Sequence, residues 1–190
     1  MSDGASVRAP VVCIPPGQVA GRSREGRGRR ALFLDRDGVI NVDHGYVHTP
    51  EGTDWMPGIF DLVRDANRAG VLVIVVTNQA GIARGLYSEA QFIDYTEWVH
   101  REFASRDAHL CATYYCPHHP EAGRGEYHRV CGCRKPAPGL LLAAGHDYGI
   151  DLASSRLIGD KSSDIMAAEA AGVGDALLVG RRGAGPIDWI

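Results

Sequence analysis

Lysine and long apolar runs are both scarce in this chain of 190 residues. Only Lys135 and Lys161 are lysines among its 20 basic residues, and the others are arginines. No apolar run is long enough to cross a bilayer, and no apolar stretch follows the N-terminal charges as in a secretory signal. We therefore expect a cytoplasmic protein without a membrane partner, in a compartment where thiols stay reduced.

The positive charge of the chain is concentrated at its N-terminus. Residues 1–30 carry six arginines against two acidic residues, a net charge of +4, so residues 31–190 carry −7 of the total of −3. Residues 1–30 are rich in Gly, Pro and Arg and show no apolar period, which predicts a flexible basic arm before a single folded domain, residues 31–190. A nucleic-acid partner is disfavoured, because no aromatics interleave these arginines and the folded part is acidic.

Apolar segments alternate with helical patterns along residues 31–190. This alternation predicts an α/β fold whose mostly parallel sheet is covered by helices on both faces, in three layers. No large insertion separates the first strand from the first helix, so we expect no large cap domain. Strands are predicted at 31–35, 71–78, 112–116, 156–160 and 175–180, and helices at 58–70, 88–103, 138–149 and 162–173.

Polar residues follow several of the predicted strands, where ligands bind in open parallel sheets. Asp35 and Asp37 follow the first strand, and Asp160 follows a later one. Clustered carboxylates require a cation, and oxygen ligands favour Mg²⁺. Thr77 and Lys135 could then supply a hydroxyl group and a positive charge to phosphoryl oxygens. The Asp-x-Asp pair alone is more typical of a solvated turn, whereas the combination indicates a phosphate-directed site.

The motifs DRDGV, VVTNQ, RKP and GDKSSD resemble the four-motif series of the haloacid dehalogenase (HAD) superfamily of phosphatases. The resemblance implies a Rossmann-like, HAD-like sheet and an aspartyl-phosphate mechanism. It assigns Asp35 as nucleophile and Asp37 as general acid and base, with Thr77 and Lys135 steadying the phosphoryl group. Mg²⁺ would be held by Asp35, Asp160 and the backbone carbonyl of Asp37.

The stretches NVDHGYV, TNQAGIARG, CPHHP, CGCRKP and GDK are similar to the D-glycero-D-manno-heptose-1,7-bisphosphate 7-phosphatases. The resemblance implies hydrolysis of the 7-phosphate to give heptose 1-phosphate, in nucleotide-activated heptose synthesis for surface polysaccharide. The substrate contacts that it implies are Asp43, His44, Gly45, Tyr46, Thr77, Asn78, Gln79, Ala80, Arg134, Lys135 and Lys161.

Other functions remain open at this stage. Histidinol-phosphate phosphatases share the fold and a similar cysteine-rich loop, although the run Asp43-His44-Gly45-Tyr46 argues against that substrate. A nucleic-acid-binding or end-processing module and an inactive relative are weaker alternatives. The anomer at C1 of the heptose is left open, and the few aromatics and missing heptad pattern indicate a monomer.

Cys116-x-His118 and Cys131-x-Cys133 place four soft ligands in two pairs. A Cys₃His set suits a closed, structural zinc site, and the resemblance to the heptose-bisphosphate phosphatases implies structural Zn²⁺ here. His119 and His128 compete with His118 as the fourth ligand. A disulfide is disfavoured by the reducing compartment, and a catalytic thiol is disfavoured because Asp35 is the better nucleophile. A zinc-stabilised loop would aim the basic pair that follows it.

Overall fold

The computed structural model of the protein describes residues 11–12 and 28–180, which form one six-stranded sheet. The spatial order of its strands is β1-β4-β3-β2-β5-β6. All neighbouring strands pair in parallel except β1, which is antiparallel to β4. The strands are β1 (Val11–Val12), β2 (Ala31–Leu34), β3 (Leu72–Asn78), β4 (Ala112–Cys116), β5 (Arg156–Gly159) and β6 (Asp175–Leu178).

Five α-helices and three short 3₁₀ turns connect these strands in the described residues. Ser88 begins α3 with a capping box, in which its side chain accepts from the backbone N–H of Gln91 and the Gln91 side chain accepts from the backbone N–H of Ser88. The helices are α1 (Ile59–Arg68), α2 (Ala80–Arg84), α3 (Glu89–Ala104), α4 (Gly139–Tyr148) and α5 (Ser162–Ala171), and the 3₁₀ turns are Pro50–Gly52, Gly125–Tyr127 and Leu152–Ser154.

The core lies on both faces of the sheet, because alternate residues of each buried strand point to opposite sides. Leu32 and Leu34 of β2 pack with α1 and α3 on one face. Phe33 of the same strand packs with α4 and α5 on the other. The predicted three-layer α/β architecture with a mostly parallel sheet is therefore confirmed. Between β2 and α1 the chain forms only loops and one 3₁₀ turn, so no cap domain is inserted there.

Two features differ from the sequence-based interpretation. The segment after β3, expected to be loop, contains the five-residue helix α2. Val11–Val12, within the expected basic arm, add a short strand beside β4. The remainder of residues 1–27 lies outside the described residues, so the arm and its boundary stay predictions. No described helix is both long and apolar enough to cross a membrane.

Candidate active site

The predicted catalytic residues meet at the carboxyl ends of the central strands. Strand β2 lies between β3 and β5, so Asp35, which follows β2, faces residues from both neighbours. Its backbone N–H donates to the carbonyl of Ile158 in β5 (2.9 Å). Asp160 follows β5, and Thr77 lies near the end of β3. The strand order thus explains how residues more than a hundred positions apart share one site.

Lys135 is the buried cation of this site, with only 4% of its surface exposed. Its Nζ donates to Asp35 Oδ1 (2.9 Å) and to the carbonyl of Val76 (2.8 Å), and it pairs with Asp164 Oδ1 at 2.5 Å. Burial alone would lower the pKa of Lys135, but the charges of Asp35 and Asp164 outweigh burial and raise it. The side chain is therefore held as an ammonium ion against the proposed nucleophile.

Three carboxylates form a compact group that suits a divalent cation. Asp35, Asp160 and Asp164 each offer an oxygen, and these oxygens lie within 4.8 Å of one another. Burial, followed by the charge of Asp35, raises the pKa of Asp160 to about 6. Oδ1 of Asp160 is buried and has no hydrogen-bond partner in the described structure. An all-oxygen set with such an unpartnered atom fits Mg²⁺.

Gly38 allows the loop after β2 to pass directly over Asp160. Its φ of +90° lies in the left-handed region that favours glycine. A Cβ added there would lie 2.5 Å from Oδ2 of Asp160. Glycine at this position therefore keeps the proposed metal-binding carboxylate accessible beside the Asp-x-Asp turn.

The side chain of Asp37 turns away from the carboxylate group toward Arg36. Nη2 of Arg36 donates to both oxygens of Asp37, at 2.9 and 2.8 Å. Asn41 Nδ2 donates to Oδ1 at 3.1 Å. The carbonyl role of Asp37 toward a metal ion and its role in proton transfer stay predictions. Arg36 and Asn41 had no predicted role.

The predicted substrate loop from Asp43 to Tyr46 lies beside Lys161. Asp43 Oδ1 accepts from the backbone N–H of Gly45 (3.0 Å), and Lys161 Nζ lies 3.2 Å from Asp43 Oδ2. Partial burial would raise the pKa of Asp43, but the Gly45 hydrogen bond and the charge of Lys161 lower it. His44 differs from its neighbours, because its ring contacts the exposed Asp54 (2.8 Å).

The residues after β3 form a hydrogen-bonded chain that ends at Tyr87. Tyr87 donates to Gln79 Oε1 (2.6 Å), and Gln79 Nε2 donates to Thr77 Oγ1 (2.8 Å). The Tyr87 ring stacks on His48 with centroids 4.4 Å apart. This network fixes the Thr77 hydroxyl, which is 1% exposed, so the predicted phosphoryl-binding group is preorganised.

A cleft of about 510 Å³ opens over these groups. Most of the predicted substrate contacts line it, whereas the buried Thr77 and the exposed His44 are not among its lining residues. Tyr87 and Ser163 also line the cleft, and neither was predicted. The predicted residues in its wall are Asp37, Asp43, Gly45, Tyr46, Asn78, Gln79, Ala80, Arg134, Lys135 and Lys161.

The four predicted zinc ligands converge at one point. The Sγ atoms of Cys116, Cys131 and Cys133 lie 3.2 to 3.5 Å apart, which is far beyond the ~2.05 Å of a disulfide bond. Nδ1 of His118 lies 3.6 Å from the Cys133 sulfur. A tetrahedral zinc ion with Zn–S bonds of ~2.3 Å requires ligand separations of roughly this size. The set therefore fits a metal ion.

Two further observations support this ligand set. The hydrogen bond between Cys133 and Cys116 lowers the pKa of the Cys133 thiol, although burial opposes the shift. The competing ring of His119 instead accepts hydrogen bonds from the backbone N–H groups of Glu121 and Ala122. His128 is also outside the converging group. These contacts favour His118 as the fourth ligand.

The cysteine-rich loop is tied directly to the active site. Arg134 Nη1 donates to the carbonyl of His118 (3.1 Å). Asn78, at the end of β3, accepts from the backbone N–H of Lys135 and donates to its carbonyl, both at 3.0 Å. The loop therefore holds the side chain of Arg134, and strand β3 holds the backbone of Lys135.

The sequence interpretation missed Asp164, although its motif GDKSSD was recognised. Asp164 is the third residue of α5, and its Oδ2 accepts from the backbone N–H of Lys161. The available signal was the second aspartate of this motif, which lies four residues after Asp160. Arg36 was missed because an arginine between two aspartates is read as a solvated charge until its burial is known.

Comparison with known proteins shows which family the chain resembles. A HAD-hydrolase-like family model matches residues 132–183. The D-glycero-beta-D-manno-heptose-1,7-bisphosphate 7-phosphatase of Vibrio cholerae is 52% identical over 149 residues, which cover 78% of this chain and 80% of that protein.

Solved structures show the same relationship. A HAD-like phosphatase candidate from Mesorhizobium loti has 36% identity and a TM-score of 0.79, covering 88% of this chain and 78% of its own. The D,D-heptose 1,7-bisphosphate phosphatase from B. bronchiseptica, complexed with magnesium and phosphate, has 34% identity and a TM-score of 0.71. The match covers 80% of this chain and 83% of that protein's chain. The chain therefore belongs to the HAD superfamily and, within it, to the family of the heptose-1,7-bisphosphate 7-phosphatases.

Proposed function

We propose that this protein is a Mg²⁺-dependent phosphatase that removes the 7-phosphate of D-glycero-D-manno-heptose 1,7-bisphosphate. The product would be heptose 1-phosphate, used in nucleotide-activated heptose synthesis for surface polysaccharide. The observation that carries the proposal is the convergence of Asp35, Asp37, Lys135 and Asp160 under one cleft, in a chain about half identical to phosphatases named for this substrate.

In the proposed first step, Asp35 attacks the phosphorus atom and the bond from phosphorus to the sugar oxygen breaks. Asp37 transfers its proton to that oxygen, which leaves as an alcohol. Attack of a carboxylate on a phosphate dianion is opposed by like charge. Lys135 offsets this repulsion, because its ammonium group lies 2.9 Å from Asp35.

In the proposed second step, water attacks the aspartyl-phosphate and the bond between phosphorus and Asp35 breaks. Asp37 accepts a proton from that water, which restores both carboxyl groups to their starting forms. Thr77 and Lys135 steady the phosphoryl oxygens through both steps. Bound Mg²⁺, held by Asp35, Asp160 and the Asp37 carbonyl, would neutralise phosphoryl charge.

The second phosphate of a bisphosphate substrate needs cationic groups away from the reacting phosphorus. Arg134 and Lys161 line the same cleft as Asp37 and supply such groups. The loop from Asp43 to Tyr46 provides polar contacts between them. With no cap domain between β2 and α1, the short loops around the cleft would set specificity.

The Cys116, His118, Cys131 and Cys133 cluster is proposed to bind structural Zn²⁺. All four positions are protein ligands, so no coordination position is left for a substrate. Zinc would fix a loop with little core of its own and so hold Arg134 and Lys135 in place.

We further propose that the enzyme acts as a cytoplasmic monomer without a nucleic-acid partner.

The β anomer at C1 is the proposed substrate, because the curated relatives are named for the beta configuration. The test is phosphate release, with Mg²⁺, from the α and β anomers of heptose 1,7-bisphosphate and from histidinol phosphate. Rapid release from the β anomer, lost in Asp35→Asn, is the expected result. Preference for the α anomer would overturn the anomer assignment, and turnover of histidinol phosphate alone would overturn the substrate class.

A further inference from the structure

Arg36 is a buried charge that the proposed mechanism does not yet use. Only 3% of its surface is exposed. Its guanidinium group lies over the rings of Phe92 and Tyr95, at 5.7 and 5.3 Å from their centroids. Burying a guanidinium is costly unless it is paired, and in the described structure its carboxylate partner is Asp37.

Arg36 contacts both oxygens of Asp37, and Asn41 adds a further contact to one of them. Oδ1 accepts from Arg36 Nε (3.2 Å), from Arg36 Nη2 (2.9 Å) and from Asn41 Nδ2 (3.1 Å). The Asn41 amide also donates to the carbonyl of Val42 (2.9 Å), which requires Nδ2 on that side. Oδ1 is therefore surrounded by three hydrogen-bond donors.

The other oxygen of Asp37 has a different environment. Oδ2 accepts from Arg36 Nη2 (2.8 Å), and Gln79 Nε2 lies at 3.5 Å. Asp37 and Gln79 both line the substrate cleft. A protonated carboxyl oxygen must donate a hydrogen bond, which needs a position that no donor occupies. Oδ1 accepts from three nitrogen contacts within 3.2 Å, whereas Oδ2 accepts from one contact within that distance and leaves a position open. The proton that Asp37 transfers must therefore be carried by Oδ2.

We propose that Arg36, with Asn41, is a positioning residue that directs proton transfer to Oδ2 of Asp37. This inference rests on the role of Asp37 in the proposed function. In the first step the proton moves from Oδ2 to the departing alkoxide oxygen, and in the second it returns to Oδ2 from the attacking water. Throughout, Oδ1 stays in the Arg36 and Asn41 hydrogen bonds, so the carboxyl group does not rotate.

The same guanidinium also fixes the substrate loop. Arg36 Nη2 donates to the carbonyl of Val47 at 2.7 Å, one residue after the loop from Asp43 to Tyr46. One guanidinium group packed against two aromatic rings therefore contacts both the loop and the proposed proton donor. Lysine, with a single nitrogen, cannot reproduce this planar set of contacts.

The test is the dependence of kcat/KM on the leaving group. Phenyl phosphate needs a proton donor more than 4-nitrophenyl phosphate, because phenol is the poorer leaving group. General-acid catalysis contributes about 10²- to 10⁴-fold, so Arg36→Gln should lose about 100-fold on phenyl phosphate and less than about fivefold on 4-nitrophenyl phosphate. Asp37→Asn should show the same selective loss.

Three further variants separate positioning from general damage. Arg36→Lys keeps the buried charge and should recover activity only in part. Asn41→Leu removes one donor to Oδ1 and should show a selective loss of about tenfold on phenyl phosphate. Arg106→Gln is the matched control, because that arginine lies over Phe60 (4.6 Å) outside the cleft, and it should match wild type on both esters.

Each outcome bears on a separate claim. Equal losses on both esters in Arg36→Gln and Asn41→Leu, or no loss in either, would overturn the positioning role. If wild type hydrolyses aryl phosphates with the expected pattern in the variants but leaves heptose bisphosphate intact, only the proposed substrate fails. A wild-type enzyme inert on every phosphate ester would overturn both proposals.

Discussion

Lys135 shows how one residue serves stability and chemistry together. Its ammonium group is buried between Asp35 and Asp164. Lys135→Met would leave these two carboxylates without their cation, so we expect the free energy of unfolding to fall by about 3–5 kcal/mol. Phosphatase activity should also be lost. Urea denaturation in metal-free buffer measures the first effect, and phosphate release measures the second.

A double variant distinguishes charge from packing at this position. Adding Asp164→Asn to Lys135→Met removes one of the two unpaired charges, so part of the lost stability should return while activity stays absent. If the double variant is no more stable than Lys135→Met, the lost stability reflects packing and the buried-charge explanation is wrong.

His100 is a buried histidine of helix α3. It is 5% exposed, and its Nε2 contacts Thr113 Oγ1 at 2.9 Å. Burial lowers the pKa of His100 to about 4, whereas an unfolded histidine titrates near ~6.5. The unfolded state therefore binds more protons between these values, and stability should fall as the pH drops from about 6.5 toward 4.

The size of this pH effect follows from the shift in the pKa of His100. A difference of roughly 2.5 units corresponds to about 3 kcal/mol. His100→Gln should remove that share of the acid sensitivity, so its unfolding free energy should change less than that of wild type between pH 7 and pH 4. Parallel pH profiles for the two proteins would show that His100 does not titrate on unfolding.

At the scale of structural elements, the proposed zinc site should stabilise the loop from Cys116 to Lys135. Cys131→Ser removes one ligand, so bound zinc should be lost and the melting temperature should fall. Activity should decrease by about 10- to 100-fold, the usual range for groups that support a site indirectly. Zinc content, thermal unfolding and phosphate release together measure these effects.

Cys111→Ser is the matched control for the zinc prediction. Cys111 is a buried free cysteine outside the metal-binding group. The substitution should leave zinc content unchanged, and its effect on activity should be small. If Cys131→Ser keeps its zinc and its activity, the cluster is not the support for Arg134 and Lys135.

The elements most accessible to sequence reasoning were those with a strong apolar pattern. Strand β3 was predicted from its run of apolar, β-branched residues. That run exists because all but the last of its seven residues are buried. Helix α2 was missed because five residues are too few to show a helical period. Asp35 and Asp160 were found because each directly follows a strand. The role of Arg36 depends on the rings of Phe92 and Tyr95, distant in the chain, so no local pattern reveals it.

At the scale of the whole molecule, the candidate active site and the N-terminal strand β1 lie in different parts of the same sheet. The predicted site residues Asp35, Thr77 and Asp160 lie at the carboxyl ends of β2, β3 and β5, whereas β1 lies on the outer side of β4 at the sheet edge. Only Val11 and Val12 pair there, opposite Tyr114 and Thr113. The described strand of the predicted arm, residues 1–30 with a net charge of +4, therefore pairs only at this edge of the sheet.

Deleting residues 1–27 tests whether this arm has a part in function. We expect kcat/KM to stay within about twofold of the full chain, because removing about two backbone hydrogen bonds should cost only ~1–3 kcal/mol. A salt-sensitive DNA gel shift is not expected for either protein, since residues 31–190 carry a net charge of −7. A shift that the deletion abolishes would assign the arginines of the arm to nucleic acid. A large loss of phosphate release would instead place the arm near the substrate cleft, which the position of β1 argues against.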